Sequence, residues 1–272
     1  KLENLTIKEK SGLQLDTLAT WLLFAPKNLN FINLALVTPN TNLKVPFLSL
    51  AYDSLGDFSD FLNKITISAK INPSTFGADD LAYVVNDLWG IHQKINISGN
   101  ITGKVCNLNA KELKLNYGNK TFIHTDFHIS GLPDPDKMQM NVQIHNLLTD
   151  NNDLSKISLP PFNEKHPLPL PDQLKLIGNV AFTGNISGTL NDLAANGRLN
   201  TGIGAIIADV KVKNDTIKKQ MAVEGIIQTQ ELNVGKLAEN EATIGTASTN
   251  LNIHAVIGKN NKIKANVNGK IS

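Results

Sequence analysis

From Leu174 to Leu190 every even-numbered position is apolar or glycine: Leu174, Leu176, Gly178, Val180, Phe182, Gly184, Ile186, Gly188 and Leu190. The odd positions are mostly Lys, Asn, Thr and Ser. Only an extended chain puts residues two apart on one side, so the stretch reads as a single long strand with one dry face. Ile95 to Val105 repeats the device, setting Ile95, Ile97, Gly99, Ile101, Gly103 and Val105 against Asn96, Ser98, Asn100, Thr102 and Lys104. Shorter copies run over 65–71, 113–117, 138–144 and 263–271. Glycine weakens a strand interior, so its regular use on the dry side points to bulges or bends in a curved sheet.

Helical signals are few. Gly77 to Trp89 carries Asp79 and Asp80 in a first turn and a Leu81, Val84, Val85, Leu88 stripe before Gly90, which predicts a short helix near 77–89. Leu13 to Phe24 fits an amphipathic helix or a strand, and its neighbours favour the strand. Gly99-Asn100-Ile101-Thr102-Gly103 matches Gly184-Asn185-Ile186-Ser187-Gly188 at an offset of 85, with Asn107-Leu108 then falling on Asp192-Leu193. The chain therefore looks like successive copies of a β-meander. Seven of its 11 prolines lie between Pro133 and Pro171. The expected organisation is a first β module over 1–131, a proline-rich extended connector over 132–172 and a second β module over 173–272.

Composition excludes more than it names. Only one of the 26 basic residues is arginine, Arg198, and the net charge is +2. A nucleic-acid binder would need clustered Arg and Lys, so nucleic acid is not an expected partner. The single cysteine, Cys106, makes neither an internal disulfide nor a thiolate metal cluster. No run approaches 18 apolar residues. The first residues lack the pattern of a secretion signal and the last strand ends without a closing turn, so a longer parent chain is expected, with any membrane anchor outside these residues. Asparagine is in excess at 34 of 272 residues, and the six Asn-x-Ser/Thr triplets with x other than Pro, at Asn4, Asn96, Asn100, Asn119, Asn185 and Asn214, follow from that abundance alone.

So many dry faces need a cover, because apolar surface left in water costs roughly 25 cal/mol per Å². A second sheet could supply it in a sandwich, and closure could supply it in a barrel. A long sheet folded into a trough could instead be covered by acyl chains. With only 6% aromatic residues, the aliphatic surface suits a smooth groove or a sandwich equally.

Resemblance goes further. The opening Leu5-Thr6-Ile7-Lys8-Glu9-Lys10-Ser11-Gly12-Leu13, the Val37-Thr38-Pro39-Asn40-Thr41-Asn42-Leu43 segment, and Leu50-Ala51-Tyr52-Asp53-Ser54 running on to Asp57-Phe58-Ser59-Asp60-Phe61 resemble the TamB/AsmA-like family of bacterial envelope proteins in its Bacteroidetes form. Stretches from Asp126 to Asp134, Gly184 to Asp192, Gly197 to Gly204 and Asn233 to Leu237, followed by Ile244 to Ser248, are similar to its repeats. The resemblance implies an inner-membrane-anchored periplasmic protein whose β-groove carries phospholipid toward the outer membrane. It also implies a role in outer-membrane protein assembly, with an outer-membrane β-barrel assembly protein as a further partner.

The expected fold is thus all-β, a long curved, groove-like antiparallel meander with an apolar inner face and one or two short helices. The candidate lining is Ile95, Ile97, Ile101, Val105, Leu174, Leu176, Val180, Phe182, Ile186, Leu190, Ile263, Val267 and Ile271. The competing reading is a sheet scaffold that docks an assembly partner by its edge strands and carries no lipid. Nothing points to an enzyme or a cofactor. His124, Asp126 and His128 share one strand face at metal-ligand spacing, but a solvated face explains them better. Cys106 lacks a neighbouring base, no Gly-x-Ser-x-Gly elbow or phosphate loop is present, and Asp79-Asp80 and Asp134-x-Asp136 read as helix-start and turn residues.

Overall fold

A computed structural model describes all residues except 11, 13, 83–92, 135, 158–175, 216–219, 239 and 259–262. Its strands are β1 Leu2–Lys8, β2 Gln14–Ala25, β3 Asn28–Val37, β4 Asn42–Ala51, β5 Thr66–Gly77, β6 Lys94–Lys104, β7 Asn107–Tyr117 and β8 Thr121–Ser130. They continue with β9 Gln139–Asp150, β10 Asn179–Thr189, β11 Asp192–Thr201, β12 Gly204–Asp215, β13 Gln220–Asn233, β14 Thr246–Ile257 and β15 Ile263–Ile271. The fifteen follow one another in chain order in one open sheet. The helices among the described residues are a 3-10 turn at Leu55–Asp60 and four short α segments: α1 Phe61–Lys64, α2 Ala78–Ala82, α3 Asn151–Leu154 and α4 Val234–Leu237. The protein is all-β, and its strands form the meander that the alternation implies. None of the described helices is long and apolar enough to cross a membrane.

The chain divides into two compact units, residues 1–128 with 152–169, and residues 129–151 with 170–272. The division differs from the expected one. Part of the segment read as a proline-rich connector is strand: β9 occupies Gln139–Asp150 and pairs along its length with β10. Its Met140, Val142, Ile144 alternation outweighs the flanking prolines.

Other expectations are corrected in detail. The strand read as Leu174–Leu190 is shorter. Residues 176–178 form a turn, β10 runs from Asn179 to Thr189, Leu190 sits in the turn before β11, and Leu174 lies outside the described residues. Residues 14–25 are strand, as their neighbours suggested. Of the helix expected near 77–89, Ala78–Ala82 is helical, and the Val84, Val85 and Leu88 part of its stripe falls outside the described residues.

The offset-85 repeat has a structural meaning. Lys104 pairs with Asn107 across the two-residue turn Val105-Cys106, and Thr189 pairs with Asp192 across Leu190-Asn191. In each hairpin the glycine before the turn, Gly103 or Gly188, has φ of +112° or +117°, where a side chain is strained. A Cβ at either would also strike the carbonyl of the partner strand, Asn107 or Asp192.

Among the described residues, four non-glycine residues have positive φ: Asn4, Asn33, Glu112 and Glu231. Each lies where the register slips by one residue, Asn4 between the Leu2 and Leu5 pairs, Asn33 in β3 opposite Ala19–Trp21, Glu112 in β7 opposite Ser98–Asn100, and Glu231 between the Thr229 and Leu232 pairs. These are β-bulges, and they let the apolar set keep its face after the alternation changes parity.

Candidate functional site

Within each unit the register converts the alternation of single strands into rows that run across neighbouring strands, from β2 to β7 in the first and from β9 to β15 in the second. In the first unit Leu22, Phe31, Leu48, Ala69, Ile101 and Ala110 pair successively from β2 to β7. The next row on the same face is Phe24, Leu29, Leu50, Ile67, Gly103 and Leu108. The opposite face carries Leu23, Asn30, Ser49, Ser68, Thr102 and Asn109 in register.

The second unit is more regular. Val142, Ile186, Ala195, Val210, Gly225, Ile253 and Val267 form one row from β9 to β15. Next to it on the same face lie Ile144, Gly184, Gly197, Ala208, Ile227, Leu251 and Gly269, and one row further Leu147, Phe182, Leu199, Ile206, Thr229, Thr249 and Ile271, in which the two threonine hydroxyls bond each other at 3.0 Å and so need no water. One residue over, on the other face, the row reads Gln143, Asn185, Asn196, Asp209, Ile226, Asn252 and Asn268. Asn185 Nδ2 donates to Asn196 Oδ1 at 3.2 Å. Asparagine abundance is the wet side of this sheet.

Exposure separates the two faces. From β9 to β14 the apolar rows are half-buried, while Asn185, Asn196, Asp209 and Asn252 are exposed. On the edge strand β15 even the apolar row is open, with Val267 53% and Ile271 74% exposed. Fully buried apolar side chains are few. The second unit has one small cluster, Ile177, Val180 and Ile203, with Leu199, Leu232 and Leu237 packed against it. Within each unit the described strands all belong to one sheet, so no second sheet of the unit seals the apolar rows.

The residues expected to line a groove divide accordingly. Ile101, Phe182, Ile186, Val267 and Ile271 stand in the rows above, and Ile263 holds the matching register position opposite Ile257. Ile97 pairs with Ser74 and Leu115, and Ile95 with Phe76 and Tyr117, on the same face. Burial pushes the Tyr117 phenol above its usual value of 10.0, with the nearby Asp153 charge adding to the rise. Val180 belongs to the buried cluster. Val105 and Leu190 occupy hairpin turns and Leu176 the turn before β10, so none of these three lies on a sheet face. The alternation carried them because it runs a residue or two past each strand end.

The rows also enlist residues that single-strand reading missed, from Leu22, Phe31 and Leu48 to Ile206, Ile227 and Leu251. Their signal was the same alternation, broken by bulges at Ala110-Lys111-Glu112-Leu113 and Thr229-Gln230-Glu231-Leu232.

The ionisable residues of β8 each bond to a different group. His124 Nε2 lies 2.9 Å from Glu112 Oε2, Asp126 accepts from Lys111 Nζ and the Glu112 backbone nitrogen at 2.7 Å each, and His128 Nε2 lies 2.6 Å from Asn107 Oδ1. His128 is exposed, but the side chains of Asp126 and His124 are only 15% and 23% exposed and both reach Glu112, so two of the three do not stand on the solvated face expected of them. Cys106 is a half-buried free thiol in the β6–β7 turn.

No family model, curated protein or solved structure matches the chain.

Proposed function

We propose that the apolar face of each sheet unit holds lipid acyl chains, and that the chain is the periplasmic, lipid-handling part of a TamB/AsmA-like envelope protein. The observation that carries this reading is the set of largely apolar rows from β9 to β15, interrupted in one row by the mutually bonded Thr229 and Thr249 and half-buried over most of their width, on a sheet with no second described sheet in its unit. Aliphatic side chains in parallel rows offer dispersion contacts along a hydrocarbon chain without demanding a fixed headgroup position. Phospholipid passing between inner and outer membranes is the substrate implied by the family resemblance, and no catalytic step is required.

The test is charge placed in the rows. Ile97→Asp, Ile186→Asp and Ile253→Asp, at half-buried positions away from the Ile177–Val180–Ile203 cluster, should remove co-purifying lipid while the far-ultraviolet spectrum stays that of a sheet. Unchanged lipid recovery in folded variants would reject the reading.

The second reading, a scaffold that docks an outer-membrane assembly partner, draws on β15, which is partnered on one side and whose residues 264–272 are all exposed. Such a scaffold would carry no lipid.

A further inference from the structure

On the polar face of the second unit, at the β11–β12 turn, a cleft of about 900 Å³ is lined by Arg198, Asn200, Gln230, Glu231, Lys236 and Glu241 among others. Arg198 is the only arginine in a chain with 26 basic residues. It is half-buried on β11, and its Nε donates to Asn200 Oδ1 at 2.9 Å. The four N–H of its terminal nitrogens have no acceptor among the described residues. Lys236, on α4, is also half-buried, and its ammonium makes no ion pair among them either. By contrast the more exposed Lys111 and Lys213 both reach carboxylates.

Two half-buried cations that make no ion pair among the described residues have given up part of their hydration for a single hydrogen bond, that of Arg198 to Asn200, and an anion bound in the cleft would supply the missing partner. A guanidinium presents a planar fork suited to phosphate or carboxylate oxygens, which a lysine does not reproduce. The acids of the cleft, Glu231 and Glu241, are exposed at its rim, where they can accept from hydroxyl or ammonium groups while the cations lie further in.

We infer that this cleft binds a phosphate ester bearing a hydroxyl or amino group, with Arg198 and Lys236 on the phosphate and Glu231 and Glu241 on the polar substituent. Either a lipid headgroup or a free phosphorylated metabolite supplies this chemistry. The site stands on the opposite face from the apolar rows, so it does not depend on acyl chains being bound there.

Calorimetric titration of the 272-residue chain with phosphoethanolamine, inorganic phosphate and short-chain dihexanoyl phosphatidylethanolamine tests it. Saturable binding of phosphoethanolamine, tighter than that of inorganic phosphate, is expected. Arg198→Gln should abolish it and Arg198→Lys should weaken it about tenfold, while Lys211→Gln, on the same face but away from the cleft, should leave it unchanged. If only the short-chain lipid binds, and binding is lost in Arg198→Gln, the source is a lipid headgroup; if the soluble ester binds as well, a free metabolite suffices. Ile186→Asp should leave binding intact, which separates this site from the acyl-chain face. Absence of saturable binding of any probe to the wild-type chain overturns the proposal. So does a folded Arg198→Gln, or Arg198→Lys if Arg198→Gln does not fold, that binds as the wild type does.

Discussion

The ring of Phe182 lies over Gly197, close enough that a Cβ at Gly197 would come within 2.8 Å of its Cε2 and Cζ atoms. Gly184, directly opposite Gly197, is covered by the same ring. An aromatic side chain on β10 thus shields two glycines of the neighbouring positions, returning to the sheet the packing those glycines lack. Gly197→Ala should lower stability by about 1–3 kcal/mol, since the added methyl meets both the ring and the Thr183 carbonyl. A double-mutant cycle with Phe182→Ala, read by urea unfolding, should give a coupling of at least about 0.5 kcal/mol, and additivity would show that the ring is not the obstacle.

Asp153 anchors the β7–β8 turn of the first unit. Its carboxylate, 1% exposed, accepts from the backbone nitrogens of Asn119, Lys120 and Thr121 at 2.7–3.2 Å and from the Thr121 hydroxyl at 3.2 Å. The Lys120 amide leads these bonds, which outweigh burial and lower its pKa from 3.8 to about 2. A carboxyl with a depressed folded-state pKa stabilises the fold fully above its unfolded value, and that contribution is lost as pH falls from near 3.8 through 2. The thermal midpoint should therefore drop across this window. Asp153→Asn should lower the midpoint at neutral pH and flatten the acid limb. Asp57, held low chiefly by the Ser54 amide, and Asp134, held low chiefly by Lys137, account for part of the slope that remains. An acid limb as steep in Asp153→Asn as in the wild type would contradict this assignment.

Asp80 ties the β3–β4 turn to α2. Its Oδ2 accepts from the hydroxyl of Thr38 at 2.6 Å and from that of Thr41, which in turn accepts from the Gly77 amide at 3.1 Å. Both threonines are buried. Asp80→Ala removes the acceptor of both hydroxyl protons, although the hydroxyl oxygens still accept from backbone amides, and should cost about 1–3 kcal/mol. Hydrogen exchange should show the Gly77 amide losing protection before the β4–β5 ladder does.

Glu231, at φ 49°, occupies a left-handed bulge position that suits glycine. Glu231→Gly should raise stability by about 1 kcal/mol, and Glu231→Val should lower it, because a β-branched side chain tolerates that backbone least. Equal midpoints for the two variants in denaturant titrations would mean that the bulge is not held as described.

Much of the fold was legible because one signal, period-two alternation, specifies both the strands and the side they dry. Ile95 to Thr102 and Val180 to Ile186 could be assigned to faces residue by residue. The strand ends could not, since Val105, Leu176 and Leu190 continue the alternation into turns. The bulges were hidden too, because a parity change at Glu112 or Glu231 looks like the end of a strand when no partner is in view. What single strands could never display is register. That Ile186 faces Ala195 and Val142, and that the row continues to Val267, is a property of hairpin closure at Thr189–Asp192 and of the turns beyond it. The Arg198 cleft was equally out of reach, for its residues come from β11, β13, α4 and the segment that follows.

The most direct test of the central claim is the lipid content of the purified chain, measured by mass spectrometry after organic extraction and expressed per protein molecule. The acyl-chain reading predicts at least one bound phospholipid per chain, retained through size exclusion and displaced by added fatty acid. A folded chain that carries no lipid and takes none from added phospholipid would contradict it.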